Sequence, residues 1–250
     1  MKVGFISLGC SKNLVDTEKT IGIFKANEYT IVNNPEEAEV IVINTCGFIE
    51  TAKEEAINTI LEMAEYKNKN CKYLIVMGCL VERYKEELEK ELPEVDLFIK
   101  YSEYNYLWEQ IERLLKNNLS KENDKGTTKN KYNNFEKVED RVISTGANFA
   151  YLKIADGCSN RCTYCAIPYI RGPQISRSME DILKEANKLV DNGYKELILI
   201  AQDTTKYGTD IYGKPKLAEL LKELCKIEKL HWIRFLYAYP ETIDEELIKV

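Results

Sequence analysis

Short runs of Val, Ile and Leu alternate with amphipathic stretches through the first 116 residues, and nothing else in the chain limits its fold as much. KVGFISL (2–8), AEVIVINT (38–45), KYLIVMG (72–78) and VDLFIK (95–100) read as buried strands. VDTEKTIGIFKAN (15–27), TAKEEAINTILEMAEYK (51–67), ERYKEELEKEL (82–92) and residues 104–116 carry helical spacing. Strands that are apolar on both faces need helices on both sides of their sheet, so the pattern predicts an α/β layer with parallel strands. Residues 117–147 are Asn/Lys-rich and almost without apolar period. They read as a linker, with a short strand near 141–144. The alternation resumes with strands over 150–154, 195–202 and 231–239 and helices over 179–192 and 216–228, and a further helix starts in ETIDEELIKV. The expected division is an N-terminal domain 1–116, a linker 117–147 and a second domain 148–250. Three strand–helix units do not close a barrel of parallel strands. The second domain is therefore expected to be the N-terminal part of a barrel, incomplete as a catalyst in this chain.

Composition removes several function classes. The 250 residues have room for two domains. No apolar run reaches the roughly 18 residues of a membrane span. The start, MKVGFISLGCSKN, lacks the apolar core and cleavage site of a signal peptide, which points to the cytoplasm. A net charge of −6 argues against a bare polyanion grip, so no direct nucleic-acid binding is expected from this portion. Eight cysteines in a reducing compartment favour metal or catalysis over disulfides. The single histidine, His231, leaves no material for a His-based triad or an HExxH site.

Two cysteine sets carry the chemistry. ADGCSNRCTYCAIP (155–168) offers Cys158, Cys162 and Cys165 in the spacing CxxxCxxC. A closed structural zinc site wants four ligands, and the nearest further candidates, Cys225 and His231, are far away in sequence. Thiolates also hold iron–sulfur clusters. Three of them on a four-iron cluster leave one iron open to the amino and carboxylate groups of a small molecule. The second set is dispersed: FISLGC ends at Cys10, VINTC at Cys46 and IVMGC at Cys79, each just after a predicted strand. In a parallel sheet those ends share the edge where open sheets bind ligands. Helices expected to start near 14, 50 and 81 add positive dipole ends beside an anionic group. Three unrelated buried cysteines are the alternative, although that explains one placement better than three alike. Cys71 and Cys225 read as core or surface residues.

CxxxCxxC with Tyr164 before the third cysteine resembles the radical S-adenosylmethionine superfamily, and the two sets together resemble its methylthiotransferase family over essentially the whole chain. NTCGFIETAKEEA (44–56) is similar to the family in general. GCSKNLVDTE (9–18), AQDTTKYG (201–208) and RFLYAYP (234–240) resemble the RimO-type branch, which modifies an aspartate of small-subunit ribosomal protein twelve. The MiaB-like branch, which modifies tRNA adenosine, tends instead to GCQMN or GCKVN and an NVNSYG-type stretch. Family members continue through the rest of the barrel and a TRAM domain, neither of which is in this sequence. The resemblance implies two 4Fe–4S clusters, S-adenosylmethionine, an external electron donor, the ribosomal protein as substrate and no membrane. It implies that the cluster on Cys158, Cys162 and Cys165 binds and cleaves S-adenosylmethionine. The resulting radical takes hydrogen from the β-carbon of the target aspartate. The cluster on Cys10, Cys46 and Cys79 supplies sulfur, and a second S-adenosylmethionine supplies the methyl group.

The resemblance also places Tyr164 beside the cofactor's adenine and Gln202 at its methionine end. A loop anchor and a strand cap are the plainer readings of these two. Asp203, Thr204 and Thr205 face the substrate or form a polar turn. PYIRGPQISRS (168–178) folds over the cluster, with Arg171 and Arg177 paired to a carboxylate or solvated. A tRNA methylthiotransferase, a two-cluster electron-transfer protein and a zinc-stapled interaction module are the rival functions.

Overall fold

In the computed structural model the first apolar run forms β1 (Lys2–Ser7), followed by α1 (Ser11–Ala26), β2 (Thr30–Val32), β3 (Val40–Thr45), α2 (Glu50–Ala64), β4 (Tyr73–Gly78), α3 (Cys79–Glu91), β5 (Leu97–Lys100) and α4 (Leu107–Leu115). The structure describes residues 1–116, 135 and 141–250. They fall into two units, Met1–Val142 and Ile143–Val250. Most of the expected linker, 117–134 and 136–140, lies outside the described residues.

The strands of the first unit pair in the order β2-β1-β3-β4-β5, all parallel. Every residue of β3 is buried, as a central strand covered on both faces requires. Its side chains alternate. Ile41 and Ile43 pack with Ala56 and Ile60 of α2 and Leu80 of α3. Val40 and Val42 pack with Ile23 and Phe24 of α1 and Leu107 and Ile111 of α4. β2 is an addition to the four strands expected here. Its three residues, TIV, are too few to carry a period, and it holds the sheet edge through the register Lys2↔Thr30. The chain passes from β1 outward to β2 and returns on the other side at β3, so the strand order reverses between β1 and β3. In open parallel sheets that reversal leaves a crevice at the carboxyl ends of the two strands.

No strand forms at 141–144. Those residues meet a helix instead: Val142 N–H donates to the Glu18 carbonyl, and the Arg141 Nε donates to the buried Glu18 carboxylate at 2.7 Å. Phe135 packs edge-on to Tyr104, ring centroids 4.9 Å apart, in the same core as α1 and α4.

The second unit runs β6 (Phe149–Lys153), β7 (Ala155–Asp156), α5 (Ile167–Ile170), β8 (Ile175–Ser176), α6 (Met179–Asp191), β9 (Glu196–Ile200), α7 (Thr209–Tyr212), α8 (Leu217–Leu224), β10 (Trp232–Phe235) and α9 (Glu245–Ile248). β10, β9 and β6 form a parallel sheet in that order, and β7 pairs antiparallel with β8. Leu152, Leu197 and Leu199 pack against Ile182 and Ala186 of α6 and Leu220 and Leu224 of α8. Ser178 caps α6 by accepting from Asp181 N–H at 3.2 Å. α8 ends at Leu224, so Cys225 is its exposed C-cap and not a mid-helix residue. No helix of the described residues is long and apolar enough to cross a membrane.

Candidate metal centres

The dispersed cysteines end up on neighbouring loops. Cys10 is the N-cap of α1, Cys46 follows β3 directly, and Cys79 is the first residue of α3. Cys10 and Cys46 thus flank the crevice between β1 and β3. The loops touch. A Cβ added at Gly9, whose φ is +86°, would lie 2.6 Å from the Cβ of Cys46 and 3.1 Å from its Sγ. A Cβ added at Gly47 would lie 2.7 Å from Leu80 Cα and 3.0 Å from the Cys79 carbonyl oxygen. Glycine at these two positions lets the three cysteine-bearing backbones close on one another.

A buried amide fastens them. The Asn13 side chain donates to the Leu8 carbonyl at 3.1 Å and to the Thr45 carbonyl at 3.0 Å. Its Oδ1 accepts from the Cys79 thiol at 3.6 Å. Asn44 Nδ2 in turn donates to the Asn13 carbonyl at 2.9 Å and to Thr17 Oγ1 at 3.1 Å. Arg83 donates to the Gly47 carbonyl at 2.6 Å, bringing a cation beside Cys46. Cys79 is buried, and Cys10 and Cys46 are half-buried. Three soft sulfur donors, two helix N-termini and a guanidinium suit an anionic, thiolate-bound group. Among the described residues no three His, Cys, Asp or Glu side chains close on a single metal ion. A cluster spreads its thiolates over separate irons, and the donor set fits it.

The local set is held by charge. β6 runs through Ile154 into β7, where Asp156 is buried beneath the cysteine loop. Its Oδ2 accepts from Lys153 Nζ at 2.9 Å and Arg171 Nη1 at 2.8 Å, and its Oδ1 accepts from Gly157 N–H at 2.8 Å. Burial works to raise its pKa, but Arg171 and Lys153 outweigh burial and hold the carboxyl far below the usual carboxylate range. The carboxylate draws two cations, Lys153 and Arg171, to the base of the loop that carries Cys158.

Cys158 is buried, its thiol pushed up by desolvation, and its N–H donates to the Gly172 carbonyl at 3.0 Å. Cys162 and Cys165 are half-buried and joined by a turn, with Cys165 N–H donating to the Cys162 carbonyl at 3.0 Å. The Tyr239 hydroxyl lies 3.9 Å from Cys162 Sγ, and that contact, with some burial, pushes the phenol up to about 12. Asn160 ties the loop to the end of β9: it donates to Asp203 Oδ2 at 2.8 Å and accepts from the Lys206 ammonium. Three sulfurs within one loop anchored by a buried ion-paired carboxylate fit a thiolate-bound cluster.

Of the other expected site residues, Tyr164 is 83% exposed on this loop, and Gln202 is half-buried just past β9. Asp203, Thr204 and Thr205 are buried, with Thr205 Oγ1 donating to Asp203 at 2.6 Å. Arg171 and Arg177 each have carboxylate partners, Asp156 for the first and Asp181 (2.7 Å) and Glu185 (2.5 Å) for the second. Sequence reasoning passed over Asn13, Lys153, Asp156 and Asn160. Three of them lie within three residues of a candidate cysteine, but a polar residue there reads equally well as solvated.

Residues 2–100 match the model of a family described as "Uncharacterized protein family UPF0004", and residues 152–250 match that of the radical SAM superfamily. The whole chain is 65% identical to the ribosomal protein uS12 methylthiotransferase RimO of Alkaliphilus oremlandii and covers 55% of it. Over 99% of the chain it is 56% identical to the RimO of Acetivibrio thermocellus, again covering 55%. The chain thus spans about half the length of the curated relatives it matches. Among solved structures it is similar to the radical S-adenosylmethionine methyltransferase TsrM of Kitasatospora setae, with TM-score 0.63 and 11% identity over 99% of this chain and 58% of that one. It is also similar to the cobalamin-dependent radical enzyme OxsB, with TM-score 0.53 and 14% identity over 94% of this chain and 38% of that one. At these identities the likeness is one of fold.

Proposed function

The chain belongs to the radical S-adenosylmethionine methylthiotransferase family of the RimO type, and on that premise we propose that this protein adds a methylthio group to the β-carbon of an aspartate in ribosomal protein uS12. Cys158, Cys162 and Cys165 hold one 4Fe–4S cluster, and Cys10, Cys46 and Cys79 hold a second. When bound, the clusters and S-adenosylmethionine supply the one-electron, sulfur and methyl chemistry that no side chain here supplies.

The chain's own residues position and shield. Asp156 anchors the base of the cysteine loop, and Lys153 and Arg171 keep positive charge under an anionic group. Asn160 and Asp203 tie the far side of the loop to β9. Gln202 and Tyr164 reach the methionine and adenine ends of the cofactor. The protein works in the cytoplasm with an external electron donor, away from membranes and without gripping nucleic acid through this portion.

The observation that carries the proposal is the second set of three cysteines, on three touching loops beside the strand-order reversal. A protein that only cleaved S-adenosylmethionine would have no use for it. The test is to present the reconstituted, reduced protein with uS12 and, separately, with tRNA. Mass spectrometry should find the methylthio group on one aspartate of uS12. Modification of tRNA adenosine with uS12 untouched would replace this reading with the MiaB-like one.

A further inference from the structure

We infer that Asn13 is the positioning residue of the N-terminal three-cysteine site, its one amide fixing the Cys10 and Cys46 loops against the start of α3. The inference rests on the reading of Cys10, Cys46 and Cys79 as cluster ligands. The orientation of the amide follows from its neighbours. The edge that faces the Leu8 and Thr45 carbonyl oxygens must be the NH2, because two acceptors cannot face a third. Oδ1 is then turned to the Cys79 thiol, 3.6 Å away. Leu8 lies two residues before Cys10, Thr45 immediately before Cys46, and Cys79 is itself a ligand. One planar group with no solvent exposure therefore holds the end of β1, the end of β3 and the start of α3. The residue is fixed from behind as well, since its carbonyl accepts from Asn44 at 2.9 Å.

A cluster-bound thiolate has no proton to donate to Oδ1, whereas the bonds to Leu8 and Thr45 are independent of the state of the sulfur. Asn13 therefore acts on the loaded site through the two loops. Aspartate has the same shape but donates nothing, and its carboxylate would face two carbonyl oxygens. The Cys10 and Cys46 loops would be pushed apart while the core beneath them stays packed.

The experiment uses the intact protein carrying Cys158→Ala, Cys162→Ala and Cys165→Ala, so that only the N-terminal site can load. Iron and sulfide are titrated in anaerobically, and bound iron and the visible and EPR spectra of the cluster are recorded. The same is done after adding Asn13→Asp or Thr17→Val. Thr17→Val removes the hydroxyl's bonds to Ser7 and the Asn13 carbonyl and the acceptor of Asn44 Nδ2, all in the same buried network, but touches no cysteine loop. Melting temperatures of the iron-free proteins are measured alongside.

Asn13→Asp should weaken iron loading about 10-fold or more, the range for losing a group that orients metal ligands, and alter the cluster's spectrum. Thr17→Val should load like its parent even where its melting temperature drops as far. Parent-like loading and spectrum in Asn13→Asp overturn the inference. So does iron loss in Thr17→Val that tracks its melting temperature as in Asn13→Asp. A parent that binds no iron overturns instead the reading of the three cysteines as ligands.

Discussion

The two cysteine sets make the same kind of site by opposite means. Cys158, Cys162 and Cys165 lie on one loop, and what holds that loop is charge: a buried carboxylate bonded to Lys153, Arg171 and the Gly157 amide. Cys10, Cys46 and Cys79 lie on three loops, and what holds those is contact and hydrogen bonding to backbone carbonyls, with no buried carboxylate among the anchors described. Gly9 admits the Cys46 side chain, Gly47 admits the backbone at Cys79 and Leu80, and one amide spans the gap. A site written into one loop needs an anchor beneath it. A site assembled from strand ends needs the sheet to be in register before it exists at all. The two should therefore fail under different insults.

The largest effect is expected from Asp156→Ala. It removes the buried carboxylate that accepts from both Lys153 and Arg171, and breaking such a buried ion pair costs about 3–5 kcal/mol. Hydrogen exchange over residues 149–201 should accelerate while residues 2–100 keep their protection. Equal acceleration in both would show that the triad does not belong to one region alone.

Acid makes the same distinction more gently. The Asp156 carboxyl is held below its unfolded value of about 3.9, so its contribution is complete above roughly pH 4. It is lost as pH falls further, toward the folded value. The corresponding anchor of the other set is an asparagine, which does not titrate. Exchange followed downward from pH 5 should show the second unit opening first, and the reverse order would break the comparison.

Gly9→Ala attacks the other side. A positive φ and a Cβ 2.6 Å from that of Cys46 make it cost about 1–3 kcal/mol. Iron should be lost from the N-terminal set, with S-adenosylmethionine cleavage retained. Cys225→Ser should do least. It sits exposed at the end of α8, and stability should move by no more than about 0.5 kcal/mol, with iron unchanged. Iron loss there would make Cys225 a ligand.

The same contrast explains what the sequence made legible. CxxxCxxC is readable without a fold, because its ligands are neighbours. The dispersed set is readable only once VINT and its companions are taken as parallel strands, which their Val/Ile runs allow. Beyond that, elements of two or three residues, β2, β7 and β8, carry no period to detect. α1 and α3 begin at Ser11 and Cys79, three and two residues before the expected starts near 14 and 81. Their caps are Cys10 and Gly78, with no side-chain bond, and they lack the Ser, Thr or Asp that marks a start. The anchors were hidden for a related reason. Asn13 bonds Thr45, 32 residues away, and Asp156 bonds Arg171, 15 away, so neither pairing exists before the strands are side by side.

Anaerobic reconstitution of three proteins tests the central claim most directly: the unaltered one, one with Cys10, Cys46 and Cys79 changed to alanine, and one with Cys158, Cys162 and Cys165 changed to alanine. Iron and sulfide are counted, and S-adenosylmethionine cleavage is measured. Each triple variant should keep about half of the iron. Cleavage should persist in the first variant and vanish in the second. If the second variant still cleaves S-adenosylmethionine, or if either variant keeps all of the iron, the account of two separate three-thiolate centres is contradicted.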